Sequence, residues 1–328
     1  MSLDADSIVD RRRMRRKLTF WRVFAVLFAI CAVIAMAAAL RAPGTGVFTG
    51  ATAGSIARVT ITGLIRTDRQ RVEALERLGR SQAKAVIVHI NSPGGTTSGS
   101  EELHDSLKRL RDEKPMVVVV DGLAASGGYI AAIAADHIVA GDTSLVGSIG
   151  VLFQYPNFTD ALKTLGIKVE EIKSSPLKAA PNGFEPTSPE ARAAIEAIVL
   201  DSFTWFKDLV KSRRQLDDAA LERVADGRVF TGRQGVGLKL VDELGDERTA
   251  IAWLAKEKNI DPKTPVRDFR LRDRFGDLPF LHTAAVVTLE ALGLGSFARH
   301  MEEWGAVQAI ERLNLDGLLA LWHPSSAN

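Results

Sequence analysis

Cysteine is almost absent. The 328-residue chain has one, Cys31, which excludes a disulfide within the chain and any cysteine-built metal site. An excess of one charge is missing too. The net charge of +2 hides an asymmetry: residues 1–41 hold eight Lys/Arg against three Asp, which leaves the rest of the chain at −3. A body without excess positive charge lacks the electrostatic footing of a nucleic-acid binder, so no nucleic-acid partner is expected. Internal repeats are not visible, and ordinary apolar (46%) and charged (25%) fractions exclude wholesale disorder. Histidine is scarce, at six residues, and none stands in a glycine-rich context. His89 alternates within a predicted strand and His137 begins one, so both read as structural.

Long apolar runs are also few, and only 23–40 is uncharged over its whole length. As a helix those roughly 18 residues span about 27 Å, close to a bilayer core. Arg11, Arg12, Arg13, Arg15, Arg16, Lys17 and Arg22 precede the run, and only Arg41 follows it closely. The positive-inside rule then assigns 1–22 as a cytoplasmic basic arm, 23–40 as a single transmembrane anchor, and everything after Arg41 to the far side of the membrane. A cleaved signal peptide is the competing reading. The length of the run and of the basic arm favours an uncleaved anchor. Residues 41–56, rich in Gly, Ala and Thr, read as a flexible linker. The stretch 281–297 is apolar but carries Glu290 and two glycines, which argues against a second span.

The body reads as strands alternating with helices. Strands are expected at 58–62, 85–90, 116–121, 137–140, 148–152 and 169–173, and helices near 68–79, 98–111, 159–165, 188–214, 217–225 and 247–256. Four consecutive valines, Val117–Val120, suit a central strand covered on both faces. Ser188-Pro189-Glu190 is a helix start, with serine as N-cap and proline at the first helical position. This alternation implies a layered α/β fold with a mostly parallel sheet. Sites in such folds gather at the carboxyl ends of strands, and the glycine-rich turns at 91–95 and 122–128 both fall there.

Ser126 lies in Gly122-Leu-Ala-Ala-Ser-Gly-Gly-Tyr129, at the turn from the valine strand into an Ala-rich helix. A hydroxyl there can act as a nucleophile, with neighbouring N–H groups receiving the oxyanion. The same residues also suit a plain strand–helix turn that needs small side chains. Position 124 is Ala, so no Gly-x-Ser-x-Gly elbow surrounds the serine, and a Ser-His-Asp hydrolase is disfavoured. Lysine is the other known base for serine, provided that it is desolvated enough to lose its proton. Spacing alone leaves Lys163, Lys168, Lys173 and Lys178 open.

Four motifs in unbroken order narrow the choice: Asn91-Ser-Pro-Gly-Gly95, Ala125-Ser-Gly-Gly-Tyr129, Gly147-Ser-Ile-Gly150, and Val229-Phe-Thr-Gly-Arg233 followed by Gly237-Leu-Lys-Leu-Val-Asp242. Together they closely resemble the bacterial signal peptide peptidase A family, in its short, single-repeat form behind one N-terminal anchor. The resemblance implies a ClpP/crotonase-like fold, with a peptidase domain over 57–258 and a C-terminal extension, 259–328, that carries no family motif. It implies a Ser–Lys dyad with Ser126 as nucleophile, Lys178 as base and Ser148 orienting the lysine. The oxyanion hole falls to the backbone of Gly127 and of a glycine of the 94–95 pair, Gly95 in preference to Gly94. Neither metal nor cofactor is expected. The implied substrates are membrane-derived peptides such as cleaved signal peptides. The implied assembly is a homo-oligomeric ring of about eight subunits in which neighbours share the dyad. A crotonase-type acyl-CoA enzyme and an inactive anchored scaffold are the rival readings.

Overall fold

The computed structural model describes residues 53–271 and the backbone of a strand at 318–321. The expected basic arm, the anchor at 23–40 and nearly all of the linker lie outside the described residues. Among the described residues no helix is long and apolar enough to cross a membrane.

Among the described residues, a ten-stranded, mostly parallel sheet forms the centre of the body. Its main strands are β1 (Ile56–Ile65), β2 (Ala85–Thr96) and β3 (Met116–Ala125), followed by the shorter β4 (His137–Ala140) and β5 (Leu145–Gly147). β1, β2, β3 and β4 lie side by side and parallel, and β5 continues beside β3 where β4 stops. The smaller strands are β6 (Leu152–Phe153), β7 (Val229–Thr231), β8 (Glu243–Leu244), β9 (Val266–Asp268) and β10 (Leu318–Leu321). β9 pairs with β1 and β10 with β2, so residues beyond 258 belong to the sheet.

The valine run of β3 is buried on both faces, as its composition predicts. Met116, Val118 and Val120 pack with Leu75 and Leu78 of α1 (Arg69–Gly79) and with Leu103, Leu107 and Leu110 of α2 (Thr97–Glu113). Val117 and Val119 point the other way, onto Ala250 and Leu254 of α8 (Glu247–Lys258). The remaining helices are α3 (Gly127–Ala132), α4 (Thr159–Thr164), α5 (Pro189–Arg214), α6 (Asp218–Val224) and α7 (Gly232–Gly237). The start of α5 is as expected, with the Ser188 hydroxyl accepting from the Ala191 N–H at 3.1 Å. Phe206 and Val210 in its second half are buried, whereas Ile198 and Leu200 in its first half are about half exposed.

Two expected strands are corrected. Residues 148–152 do not form one, because Gly147 (φ 96°) and Ser148 (φ 51°) are left-handed and break the extended backbone, leaving only Leu152–Phe153 as β6. Residues 169–173 form no strand either. They belong to an exposed irregular segment in which side-chain ion pairs, not a backbone ladder, hold the chain. Conversely, β2 runs on through the 91–95 turn to Thr96, with a register shift against β1 near Gly63.

Candidate active site

Ser126 sits where β3 ends and α3 begins, and is only 1% exposed. Its backbone has φ 53° and ψ −117°, a conformation that non-glycine residues rarely adopt. Three backbone bonds hold it there. Its N–H donates to the Gly147 carbonyl at 2.8 Å, and its own carbonyl accepts from the Tyr129 and Ile130 N–H groups, both at 2.9 Å. The hydroxyl makes no capping bond to the helix. The turn is thus closed by backbone alone, and the side chain is left available for chemistry.

The same bond to Gly147 brings Ser148 next to Ser126. Ser148 is buried and also left-handed, with its N–H on the Arg228 carbonyl at 2.8 Å. β7, the strand carrying Val229-Phe-Thr231, pairs antiparallel with β5 and puts Phe230 against Gly147, where a Cβ would lie 3.1 Å from the ring. Two motifs far apart in the chain therefore meet at one bend.

Gly94 and Gly95 lie at the end of β2. β3 leaves β2 after the Ser92–Ala124 pair and turns off into Ser126, while β1 stays paired with Gly94 and Gly95 on the opposite side. From there on the edge of β2 on the Ser126 side is no longer paired with β3, and β10 lies antiparallel along it instead, opposite Gly94–Thr96. β10 also pairs with β6, so an extended segment fits between the two. The Gly94 N–H is taken by the Ser92 hydroxyl at 3.1 Å. Gly95 has no room for a side chain, since a Cβ would stand 1.7 Å from the Ile65 carbonyl oxygen. Gly127 is the first helical residue, whose N–H has no partner within the helix.

Ser92 is a residue that the sequence reading passed over. Fully buried, it donates to the Gly63 carbonyl at 2.7 Å, accepts from Gly94, and packs its carbonyl where a Cβ on Gly128 would come within 2.6 Å. It locks the two glycine turns together. Its place within Asn-Ser-Pro-Gly-Gly was the only available signal. Arg213 was missed as well: from α5 it donates to the Ile133 carbonyl (2.7 Å) and the Ala135 carbonyl (2.8 Å), satisfying the end of α3. Tyr129, fully buried, donates its hydroxyl to the Leu240 carbonyl at 2.9 Å.

None of the three described histidines bonds to Ser126. His104 is buried, with Nδ1 on the Ile130 carbonyl at 2.8 Å, and burial pushes its pKa down. His89 stands between Asp121 (2.7 Å) and Glu247 (2.8 Å). His137 stacks on Trp253 at 4.7 Å between centroids. These contacts agree with the structural reading of His89 and His137; His282, His300 and His323 lie outside the described residues. Lys178 is exposed on the segment between α4 and α5. Among the described residues no hydrogen bond joins its amine to Ser126 or Ser148. One chain thus brings Ser126, Ser148, Gly127 and the 94–95 pair to one bend, and leaves Lys178 outside that set of contacts. No cluster of His, Cys, Asp and Glu suited to a metal ion occurs among the described residues.

Comparison with known proteins gives the family. The model of peptidase family S49 matches residues 108–261, and that of Clp protease matches 66–140. A Synechocystis sp. protein named as a protease is 34% identical over 66% of this chain and 78% of its own length. Protease 4 of Haemophilus influenzae is 30% identical over 58% of this chain, which spans only 31% of that longer protein. The chloroplastic serine protease SPPA of Arabidopsis thaliana is 32% identical over 63% of this chain and 32% of its own. Among solved structures, a ClpP1 mutant from Listeria monocytogenes matches 58% of this chain and 92% of its own, at 16% identity and a TM-score of 0.41.

Proposed function

This chain belongs to peptidase family S49, and from that premise we infer that it is a membrane-anchored endopeptidase using a Ser126–Lys178 dyad on membrane-derived peptides. The observation that carries the reading is the Ser126 bend: a buried serine in a strained backbone, next to Ser148 and the Gly94–Gly95 edge, with its hydroxyl uncommitted. Strain of this kind costs about 1–3 kcal/mol and persists only where the surroundings impose it, as at a nucleophile.

In the proposed reaction, the Ser126 oxygen bonds to the substrate carbonyl carbon while its proton passes to the uncharged Lys178 amine. The Gly127 and Gly95 N–H groups receive the oxyanion, each worth about 3–4 kcal/mol in comparable sites. Collapse breaks the C–N bond, and the lysine returns its proton to the leaving amine. Water then attacks the acyl ester with the same lysine as base, freeing the acid and restoring Ser126. Ser148 directs the lysine. The substrate lies extended on the β2 edge that β3 leaves, the place that β10 takes here.

A neighbouring subunit supplies Lys178 in this reading. The segment that bears it exposes Leu165, Ile167, Val169, Ile172, Leu177 and Phe184, an apolar surface suited to burial against a second copy. The N-terminal run at 23–40 ties the ring to the bilayer, with the peptidase body outside. A fluorophosphonate probe tests the core of the proposal: it labels the wild-type oligomer and not Ser126→Ala. Absence of labelling in a folded wild-type oligomer instead favours an inactive scaffold. Topology is checked by a periplasmic reporter fused after residue 60, which is active if the orientation is right.

A further inference from the structure

β2 is irregular on both sides at one place. Against β1 its register slips between the pairs Thr62–Asn91 and Leu64–Gly94, so that Gly63 alone faces Ser92 and Pro93. Against β3 it slips between Ile90–Val120 and Ser92–Ala124, so that Asn91 alone faces residues 121–123. Such irregularities leave backbone groups without ladder partners. Ser92, wholly buried, stands where the two meet. Its hydroxyl donates to the carbonyl of Gly63, itself left-handed at φ 70°, and accepts the Gly94 N–H. One side-chain oxygen thus takes over from the missing rungs, closing a turn from Ser92 to the residue two further on.

The same residue reaches the other half of the bend. Its backbone pairs with Ala124, two positions before Ser126, and its carbonyl lies 2.6 Å from where a Cβ on Gly128 would stand, in the first turn of α3. Ser92 therefore touches both backbones from which the oxyanion hole is drawn: the Gly94–Gly95 stretch through its hydroxyl, and the turn that carries Gly127 through its main chain. Pro93 has no N–H to offer, and Gly94, at φ 103°, holds a conformation that leaves glycine little guidance of its own. We propose that Ser92 is a positioning residue for the reaction, engaging the Gly94 N–H so that the Gly95 N–H is the one that receives the oxyanion beside Gly127. The inference rests on the reading of Ser126 as nucleophile and Gly95 as oxyanion donor. Without the hydroxyl, the buried Gly94 N–H must find another acceptor, and a turn of the chain that supplies one displaces the Gly95 N–H.

Oxyanion donors act on the transition state more than on the bound substrate, so kcat rather than KM reads their placement. On the full-length oligomer, well below its melting midpoint, Ser92→Ala lowers kcat for an internally quenched apolar peptide by about a hundredfold, the loss that a 1 Å misplacement brings. KM changes by less than about twofold. Affinity for a peptide aldehyde falls by the same factor as kcat, because the Ser126 O–H adds across the aldehyde carbonyl and the former carbonyl oxygen of that adduct occupies the hole. Binding of the unreacted peptide, compared between Ser126→Ala and Ser92→Ala/Ser126→Ala, is unchanged. A merely structural role gives another pattern, a lower melting midpoint with kcat and aldehyde affinity intact at the assay temperature, and that result overturns the proposal. A rise in KM at unchanged kcat overturns it too. Should Ser92→Ala fail to fold, Ser92→Cys carries the test, since a thiol fills the space but bonds weakly. Its kcat falls at constant KM, and a wild-type kcat in that variant overturns the proposal. Fluorophosphonate labelling separates the two levels. If the folded wild type is not labelled, the nucleophile reading itself falls; if it is labelled and the Ser92 variants keep their kcat, only the role of Ser92 falls.

Discussion

Ser126 is held at φ 53° and ψ −117°, so under the proposed mechanism stability and activity pull in opposite directions at that residue. Ser126→Ala keeps a Cβ and the strain, whereas Ser126→Gly removes both. We expect the glycine variant to be more stable than the alanine variant by about 1 kcal/mol, read as a higher denaturant midpoint, while both are inactive. Tyr129 offers a second residue-level check. Its buried hydroxyl is 2.9 Å from the Leu240 carbonyl, and burial pushes its pKa up. Tyr129→Phe leaves that carbonyl unpaired and should cost about 1–2 kcal/mol in urea unfolding. Of these residues, the bend at Ser126 was legible from small neighbours at the end of a valine strand, whereas its assignment as nucleophile came from the family resemblance. Ser92 and Arg213 were not, because each acts through backbone groups distant in sequence.

Elements are tied together by one charged network on the α8 face of the sheet. Glu247, the first residue of α8, accepts two hydrogen bonds from Arg58 of β1, at 2.6 and 2.7 Å, and contacts His89 of β2. Arg58 also donates to Asp268 of β9 at 2.7 Å. The Arg58 guanidinium, assisted by His89, holds the Glu247 carboxyl below the usual carboxylate range. A carboxyl depressed in the folded state contributes stability that is present above its unfolded pKa, about 4.3, and is lost as pH falls through the lower folded value. Thermal melts should therefore drop on acidification below about pH 4, and Glu247→Gln should flatten that limb while costing about 1–2 kcal/mol at pH 7. Helix starts such as Ser188-Pro189 were readable because capping is local. The strand expected at 148–152 failed because of backbone handedness at Gly147–Ser148, and 169–173 has no neighbouring strand to pair with among the described residues.

At the scale of the whole molecule, the question is which chain supplies the lysine, since among the described residues no hydrogen bond joins Ser126 to Lys178. If neighbouring subunits share the dyad, Ser126→Ala and Lys178→Ala protomers complement each other. In mixed oligomers, random assembly places an intact serine beside an intact lysine at about a quarter of the sites, so about a quarter of wild-type turnover is expected from two inactive parents. Complementation that never appears, in oligomers shown to be mixed by differential tags, argues for a dyad within one chain.

The sequence by itself determined the layered α/β class, the central valine strand and the glycine-rich strand ends, although β2 runs on through 91–95. These depend on periodicity, β-branching and the absence of a Cβ, all of which act within a few residues. Only the tertiary structure decided that β5 and β7 hold Ser148 against Ser126, that Ser92 locks the glycine turns together, and that β10 lies on the edge of β2 that β3 leaves. Those outcomes are pairings between residues 20 to more than 200 positions apart. A linear pattern carries no record of which distant carbonyl, edge or carboxylate a group will meet.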